Sequence, residues 1–408
     1  MKILCFGSCN IDYVYSVNHI CKPGETISAG ELSLFPGGKG LNQAVALAKA
    51  GADVYFAGCI GKDGEFLKTV LTDSGVDVRY LRQINEKTGH AIIQVDHSSE
   101  NSIVIFSGAN GCVTKEHIND VIKDFSSGDI LLIQNEINNL PYLVDAAGKL
   151  GMHIYFNPSP LNEQIKNIDL KYIRCLIVNE TESMQMTGSK EPNIVQEFIK
   201  TKYPHIEILL TFGKRGSVHI TENRIIKQRA YKVESVDTTA AGDSYAGYYI
   251  AGISEDVSVK NAMDRASAAS AIAVSRMGAS SSIPTSIEVD KALSQMIHTS
   301  PLSKDKRELV EAYLLEHYVD GSVSDLAAQL GYSVSYTGTW LKENFGLSFI
   351  DLLYEKKCRI CAELLTTTDM PVGQIIHYVG CTNESFLRNK FKQHFGCTML
   401  PYRKRNTK

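Results

Sequence analysis

Asp237-Thr-Thr-Ala-Ala-Gly-Asp243-Ser244 places two kinds of chemistry side by side. Ala240, Ala241 and Gly242 are small enough for consecutive backbone N–H groups to converge on an anion. The small-residue stretch that follows reads as a helix whose positive end faces the same point. Asp243 at that junction can accept a proton from a hydroxyl held beside the anion. A base and an N–H cradle together make a phosphoryl-transfer site. Taken alone, Asp243 reads equally well as the N-cap of that helix.

Other segments bear on the same chemistry. Pro36-Gly-Gly38-Lys39-Gly40 enters a helix with Asn42 in its first turn, which is either a cradle or simply a tight turn. Asn10 and Asp12 follow the first strand, where a carboxylate suits sugar hydroxyls; Glu136 follows a later strand and reads also as a loop acid. Asn179-Glu-Thr-Glu182 also has the spacing of a capping box at a helix start. Thr211-Phe-Gly213-Lys-Arg-Gly216 and a segment from Ser267 through Ala273, Arg276 and Gly278 to Ser282 complete the set. Asn157-Pro-Ser-Pro160 reads as a stiff turn after a strand.

The elements that must hold these residues alternate. Runs at 3–7, 54–57, 130–134, 153–157, 175–178 and 208–211 read as buried strands, separated by amphipathic stretches such as 41–50, 64–73 and 192–200. That alternation predicts an α/β domain with a parallel sheet covered on both faces. Residues 11–35 and 88–106 alternate apolar and polar, which suits a small antiparallel sheet projecting as a flap over a ligand.

In this order the segments resemble the ribokinase-like members of the PfkB carbohydrate kinase family, over about residues 1–297. The resemblance implies a Rossmann-like αβα sandwich with a β-lid, often dimerising lid to lid into a homodimer. It implies Asp243 as the base for a sugar 5-hydroxyl and the amides of Ala240, Ala241 and Gly242 as the anion hole. Asn10, Asp12, Gly38, Lys39, Asn42 and Glu136 would contact the sugar. Asn179, Thr211, Gly213, Gly216 and Ser267 would contact ATP, with Glu182 tied to Mg²⁺ and phosphate. Asp237, Thr239, Ala273, Arg276, Gly278 and Ser282 would form a monovalent-cation (K⁺) loop, mostly through backbone oxygens. Tyr248 and Leu41 depart from the family's usual small residues, and Ser267 from its usual ring-bearing or amide residue.

The 408 residues carry a net charge of -3, which excludes a uniformly basic nucleic-acid coat. The sum hides an asymmetry: residues 301–408 hold 14 Lys+Arg against 12 Asp+Glu, leaving 28 against 33 in the remainder. After Glu384 there are seven bases and no acid. Here two segments repeat, with turn glycines Gly331 and Gly380 at a spacing of 49 and Phe345 and Phe395 at 50. Each reads as helix, glycine turn, helix, with a longer helix at 350–365 between them. Together they resemble the AraC-family double helix-turn-helix DNA-binding domain. That implies a second, all-α domain at 307–408 after a linker at 298–306. The implied readers of double-stranded DNA are Ser335, Tyr336 and Thr339 in the first unit and Asn383, Glu384, Arg388 and Asn389 in the second. Lys342, Lys390, Lys392, Arg403 and Lys404 are phosphate candidates. Cys358 and Cys361 form a CxxC without a second pair at zinc spacing, so buried small hydrophobes are expected. With no signal-like N-terminus and no membrane-length apolar run, a cytoplasmic protein is expected.

Two functions fit this reading. One is a sugar kinase joined to a transcriptional regulator; the other is a sugar-sensing regulator whose kinase-like half no longer turns over. Retention of Asp243 with its small-residue cradle favours the first.

Overall fold

The computed structural model describes residues 1–98, 100–296, 306–381 and 383–406. The chain divides into two compact units, 1–298 and 299–408. Apart from Lys306, the linker expected at 298–306 lies outside the described residues.

Among the described residues of the first unit thirteen strands, numbered along the chain, form two sheets. In the main sheet β1 (Ile3–Phe6), β4 (Val54–Ile60), β5 (Asp77–Gln83), β8 (Ile130–Gln134), β9 (His153–Asn157), β10 (Ile173–Asn179) and β11 (Glu207–Thr211) run parallel. An antiparallel hairpin of β12 (Ser217–Ile220) and β13 (Ile225–Gln228) extends one edge. The spatial order is β13-β12-β11-β10-β9-β8-β1-β4-β5. The central strands are apolar on both faces because each face is covered: Ile3, Cys5, Leu132 and Leu209 pack to one side, Leu4, Phe6, Leu131 and Leu210 to the other. β5 is absent from the expected strands because Asp77, Arg79, Arg82 and Gln83 interrupt any apolar run at the sheet's edge.

The second sheet is the expected flap: β2 (Asn10–Ser16), β3 (Glu31–Gly37), β6 (Gly89–Val95) and β7 (Asn101–Phe106), in the order β3-β2-β6-β7. It is not wholly antiparallel as expected. β2 and β6 pair in parallel, because each follows a strand of the parallel main sheet and then folds back into its own hairpin partner. Asp12, Phe35 and Ala91 share one face through this register. Tyr13, Leu34, Ile92 and Val104 share the other.

The helix Lys39–Lys49 lies against the helix Ala241–Ser254, and a Cβ on Gly247 would sit 2.4 Å from that of Ala46. This close approach brings the glycine loop of the N-terminal segment to Asp243, some two hundred residues away. Tyr248, on the same helix, is buried, and its hydroxyl donates to Pro284 O at 2.7 Å. The departure from a small residue is thus absorbed by the closing segment.

The second unit is all helical among the described residues. Helices Val323–Leu330 and Val334–Phe345 meet at Gly331, with φ 68°. Helices Val372–Tyr378 and Glu384–Phe395 meet around Gly380, with φ 63°. A 19-residue helix, Phe349–Thr367, separates the two pairs, with helices Lys306–Glu316 and Met399–Asn406 at the ends. Cys358 and Cys361 are buried on the long helix as free thiols, and burial pushes the Cys358 thiol up to about 12.

Candidate functional site

Five segments converge at the carboxyl ends of the parallel strands. Asp243 is not the N-cap. Ala240 occupies that position in a left-handed conformation (φ 58°), so Asp243 falls in the first turn with its carboxylate aimed across to the neighbouring helix. Its Oδ1 accepts from Gln43 Nε2 at 2.9 Å and its Oδ2 from Asn42 Nδ2 at 3.2 Å. Of the three cradle amides, that of Ala241 reaches back to Thr238 O at 3.3 Å; those of Ala240 and Gly242 donate to no group among the described residues.

The glycine loop is shaped by the strand it crosses. Gly38 has φ 93°, and a Cβ on Gly40 would lie 2.4 Å from Ser8 N and 2.7 Å from Gly7 C. Only bare backbone passes there. Lys39 follows, with its N–H on Glu136 Oε2 at 3.1 Å. Asp243 first, then Glu136 and Glu182, hold the Lys39 ammonium above its ordinary range despite burial.

Glu136 is no exposed loop acid. The Ser8 hydroxyl and the Lys39 amide both donate to it, and burial pushes its carboxyl upward. Asp12 comes from the lid. A Cβ on Gly37 would fall 2.1 Å from its Oδ2, so the paired lid strand closes directly on the carboxylate. Burial first, then the charge of Glu136, lifts Asp12 to about 7. Asn10 is 5% exposed, and its Oδ1 accepts from Asn110 Nδ2 at 2.8 Å. Asn42 Oδ1 is buried without a hydrogen-bond partner among the described residues.

The expected nucleotide residues line a neighbouring stretch of the sheet edge. Asn179 ends β10 opposite Thr211 at the end of β11. Asn179 and Glu182 form a reciprocal capping box, each bond 2.9 Å, so the structural alternative is realised in this state. Glu182 Oε1 keeps no partner among the described residues. Gly213 and Gly216 have φ 54° and 100°, and a Cβ on Gly216 would meet Gln228 O at 2.1 Å. Ser267 is buried with its hydroxyl on Arg229 O at 3.1 Å.

The loops expected to hold a monovalent cation are tied together. Asp237 Oδ1 accepts from Thr239 N and Oγ1 (2.9 and 2.6 Å), and Oδ2 accepts from Gly278 N (3.0 Å). Val236 and Asp237 N–H both reach Val274 O, beside Ala273. Arg276 pairs with Glu288 at 2.6 Å and Ser282 bonds Ala279 O. Among the described residues no cluster of three or more His, Cys, Asp or Glu forms a metal cage.

Sequence reasoning missed Ser8, Gln43 and Asn110. Gln43 lies inside the glycine-loop segment and Asn110 follows the last lid strand. What they do depends on partners about a hundred or more residues away, which no local spacing reveals.

In the second unit, Ser335, Tyr336 and Thr339 are exposed on one recognition helix, and Glu384, Arg388 and Asn389 on the other. Asn383 is exposed but caps its helix, accepting from Phe386 N at 3.1 Å, and Arg388 pairs with Glu384 at 3.3 Å. Two phosphate candidates have structural partners: Lys390 bonds Asp351 at 2.6 Å, and Arg403 donates to Leu365 O at 3.0 Å. Lys392 and Lys404 are exposed, as is Lys342. Trp340 is half-buried between Tyr332 and Phe345.

Comparison with known proteins agrees with this arrangement. Residues 1–286 match the pfkB family of carbohydrate kinases, and residues 326–405 match a helix-turn-helix domain. A ribokinase of Haemophilus influenzae is 37% identical over 68% of this chain and 94% of its own length. The structure of a Cryptococcus neoformans ribokinase with ADP superposes with a TM-score of 0.64 at 32% identity, covering 71% of this chain and 99% of that one. That of an Arabidopsis thaliana ribokinase with ribose and ATP gives 0.64 at 28% identity, covering 72% and 98%. With residues 1–286 matching its family model, the chain belongs to the pfkB family of carbohydrate kinases and carries an AraC-type helix-turn-helix domain later in its sequence.

Proposed function

We propose that the first unit transfers the γ-phosphoryl group of ATP to the 5-hydroxyl of ribose or a closely related furanose, and that the second binds double-stranded DNA to regulate transcription. The observation that carries the enzymatic half is the Asp243 carboxylate, held by the side-chain amides of Gln43 and Asn42 in the first turn of the helix that follows the small-residue cradle.

The sugar docks under the lid against Asp12, Asn42 and Glu136, with Asn10, Gly38 and Lys39 beside them. Lid closure excludes water and orients the hydroxyl. Asp243 takes the hydroxyl proton as the sugar oxygen attacks phosphorus and the bond to the bridging oxygen breaks. The amides of Ala240, Ala241 and Gly242 gather the charge, helped by the nearby Lys39 ammonium. Asn179, Thr211, Gly213, Gly216 and Ser267 seat the nucleotide. Glu182 would hold Mg²⁺ together with phosphate oxygens, which supplies charge neutralisation. This fits a site with single carboxylates and no protein cage. The loops of Asp237, Thr239, Ala273, Arg276, Gly278 and Ser282 would hold K⁺, mostly through backbone oxygens, and steady the turn before Asp243.

The lid's outward face supports a homodimer: Leu34, Ile92, Val104 and Phe106 are 53%, 41%, 65% and 51% exposed. No helix among the described residues is long and apolar enough to cross a membrane. ATP and DNA as joint partners support a cytoplasmic location. Ser335, Tyr336, Thr339, Arg388 and Asn389 read base edges, with Asn383 and Glu384 setting the second helix's start.

A coupled ATP-consumption assay with a panel of pentoses and hexoses tests the enzymatic half. Ribose-dependent turnover that falls about 10²-fold or more in Asp243→Ala supports it. Sugar binding without turnover for any sugar leaves a sensor in place of an enzyme.

A further inference from the structure

Behind Asp243 runs a chain of side-chain amides that the proposed chemistry does not yet use. Gln43 is 1% exposed and places Nε2 on Asp243 Oδ1 at 2.9 Å. The same Nε2 reaches Asn157 Oδ1 at 3.1 Å, and Asn157 Nδ2 is fixed on Ile177 O at 2.8 Å. Gln43 Oε1 accepts from Gln134 Nε2 at 2.7 Å. Gln134 and Asn157 are register partners at the ends of β8 and β9, so the chain is anchored on the rigid sheet, not on a loop.

The polarity of the chain follows from its end. An ionised carboxylate only accepts, so Gln43 must turn its nitrogen to Asp243 and its oxygen to Gln134. Gln134 must then present its own nitrogen. Its Oε1 is left buried without a partner, in a space that exists only because residue 7 is glycine: a Cβ there would lie 2.2 Å from that oxygen. A buried unpaired acceptor is costly, and reversing the amide would set two oxygens against each other at 2.7 Å. The cost is concentrated at the end farthest from Asp243.

Resting on the kinase reading above, we propose that Gln43, backed by Gln134 and Asn157, is a positioning residue that fixes the rotamer of the Asp243 carboxylate for proton transfer. A neutral amide orients the base without placing a full positive charge beside a group that must accept a proton. Each carboxylate oxygen retains a lone pair for the incoming hydroxyl. With the Gln43 donor lost, only the longer bond from Asn42 Nδ2, at 3.2 Å, restrains the carboxylate, and the reacting atoms lose alignment while the sugar's lid contacts stay intact.

The test compares full-length wild type, Gln43→Met, Gln134→Met, Asp243→Ala and the Gln43→Met/Asp243→Ala pair in the sugar-dependent ATP-consumption assay, with melting temperatures for each. We expect Gln43→Met to lower kcat about 10- to 100-fold with sugar and ATP KM within about threefold, as outer-shell losses do. Gln134→Met should show the same split, smaller, and serves alone if Gln43→Met does not fold. In the Asp243→Ala background Gln43→Met should add nothing, because its only route to the reaction is that carboxylate. A kcat within twofold of wild type in both glutamine variants, or an equal loss in the Asp243→Ala background, overturns the proposal while wild-type turnover leaves the kinase reading standing. A wild type without turnover for any sugar overturns the kinase reading, and this proposal with it.

Discussion

Asp12 offers a perturbation whose two effects have opposite signs. Burial, and secondarily Glu136, lifts its carboxyl to about 7, so about one-tenth of molecules carry the ionised form at pH 6 and about nine-tenths at pH 8. Sugar hydroxyls donate to the ionised form. The Kd for ribose, measured by calorimetry without nucleotide, should therefore fall about tenfold from pH 6 to pH 8. Stability runs the other way. The folded chain holds this proton more tightly than the unfolded chain, so Asp12 costs stability as pH rises from the ordinary carboxylate range through about 7. The shift from 3.8 sets a ceiling of about 4 kcal/mol on that cost. Asp12→Asn keeps the shape and removes the titration. It should melt higher than wild type at pH 8, converge with it only at about pH 4, and bind ribose weakly with no slope in pH. Glu136 and Lys39 also face this pocket, and Glu136 is itself pushed up by burial, so the two acids titrate as a pair. Glu136→Gln should move the midpoint down without abolishing it. A ribose Kd constant within twofold from pH 6 to pH 8, or a slope that survives Asp12→Asn, would refute the assignment.

Four further outcomes are expected. Val104→Glu places a charge on the outward lid face, where Val104 is 65% exposed, and should turn a sedimenting dimer into monomer without lowering the melting temperature by more than a few degrees. In DNA binding followed by anisotropy, Lys392→Ala should weaken all sequences alike and reduce the salt slope by about 1. Arg388→Ala should instead relax preference at one base position, at about 1–3 kcal/mol. Lys357, 3% exposed and with its amine held below its ordinary range by burial, donates to Gly380 O at 2.7 Å. Lys357→Ala should destabilise the second unit by about 2–4 kcal/mol in chemical denaturation, and Lys357→Met by less, since Met keeps the packing and removes a buried charge.

What was legible in the sequence shares one property: it depends on neighbours along the chain. The central strands announce themselves because both faces are buried, and the glycine loop and the Asp243 turn because small residues precede a helix. Edge strand β5 did not, since its charged residues meet solvent. The parallel pairing of β2 with β6 did not either, because alternation says which face is apolar and nothing about strand direction. The site divides the same way. Asn42 and Asp243 could be named as reacting-site residues from local pattern, but not that one holds the other. Gln43 sits one position further on the same helix and looks like any buried polar residue until Gln134, Asn157 and Asp243 are placed around it. Lys390 and Arg403 show the converse error. A basic residue near a recognition helix suggests phosphate, yet a carboxylate at 2.6 Å or a helix's last carbonyl engages it first. Local patterns thus name the groups able to react or bind. The tertiary fold decides which are already engaged, and in this chain it leaves a buried acceptor on Asn42 without a partner and exposed bases on the second recognition helix.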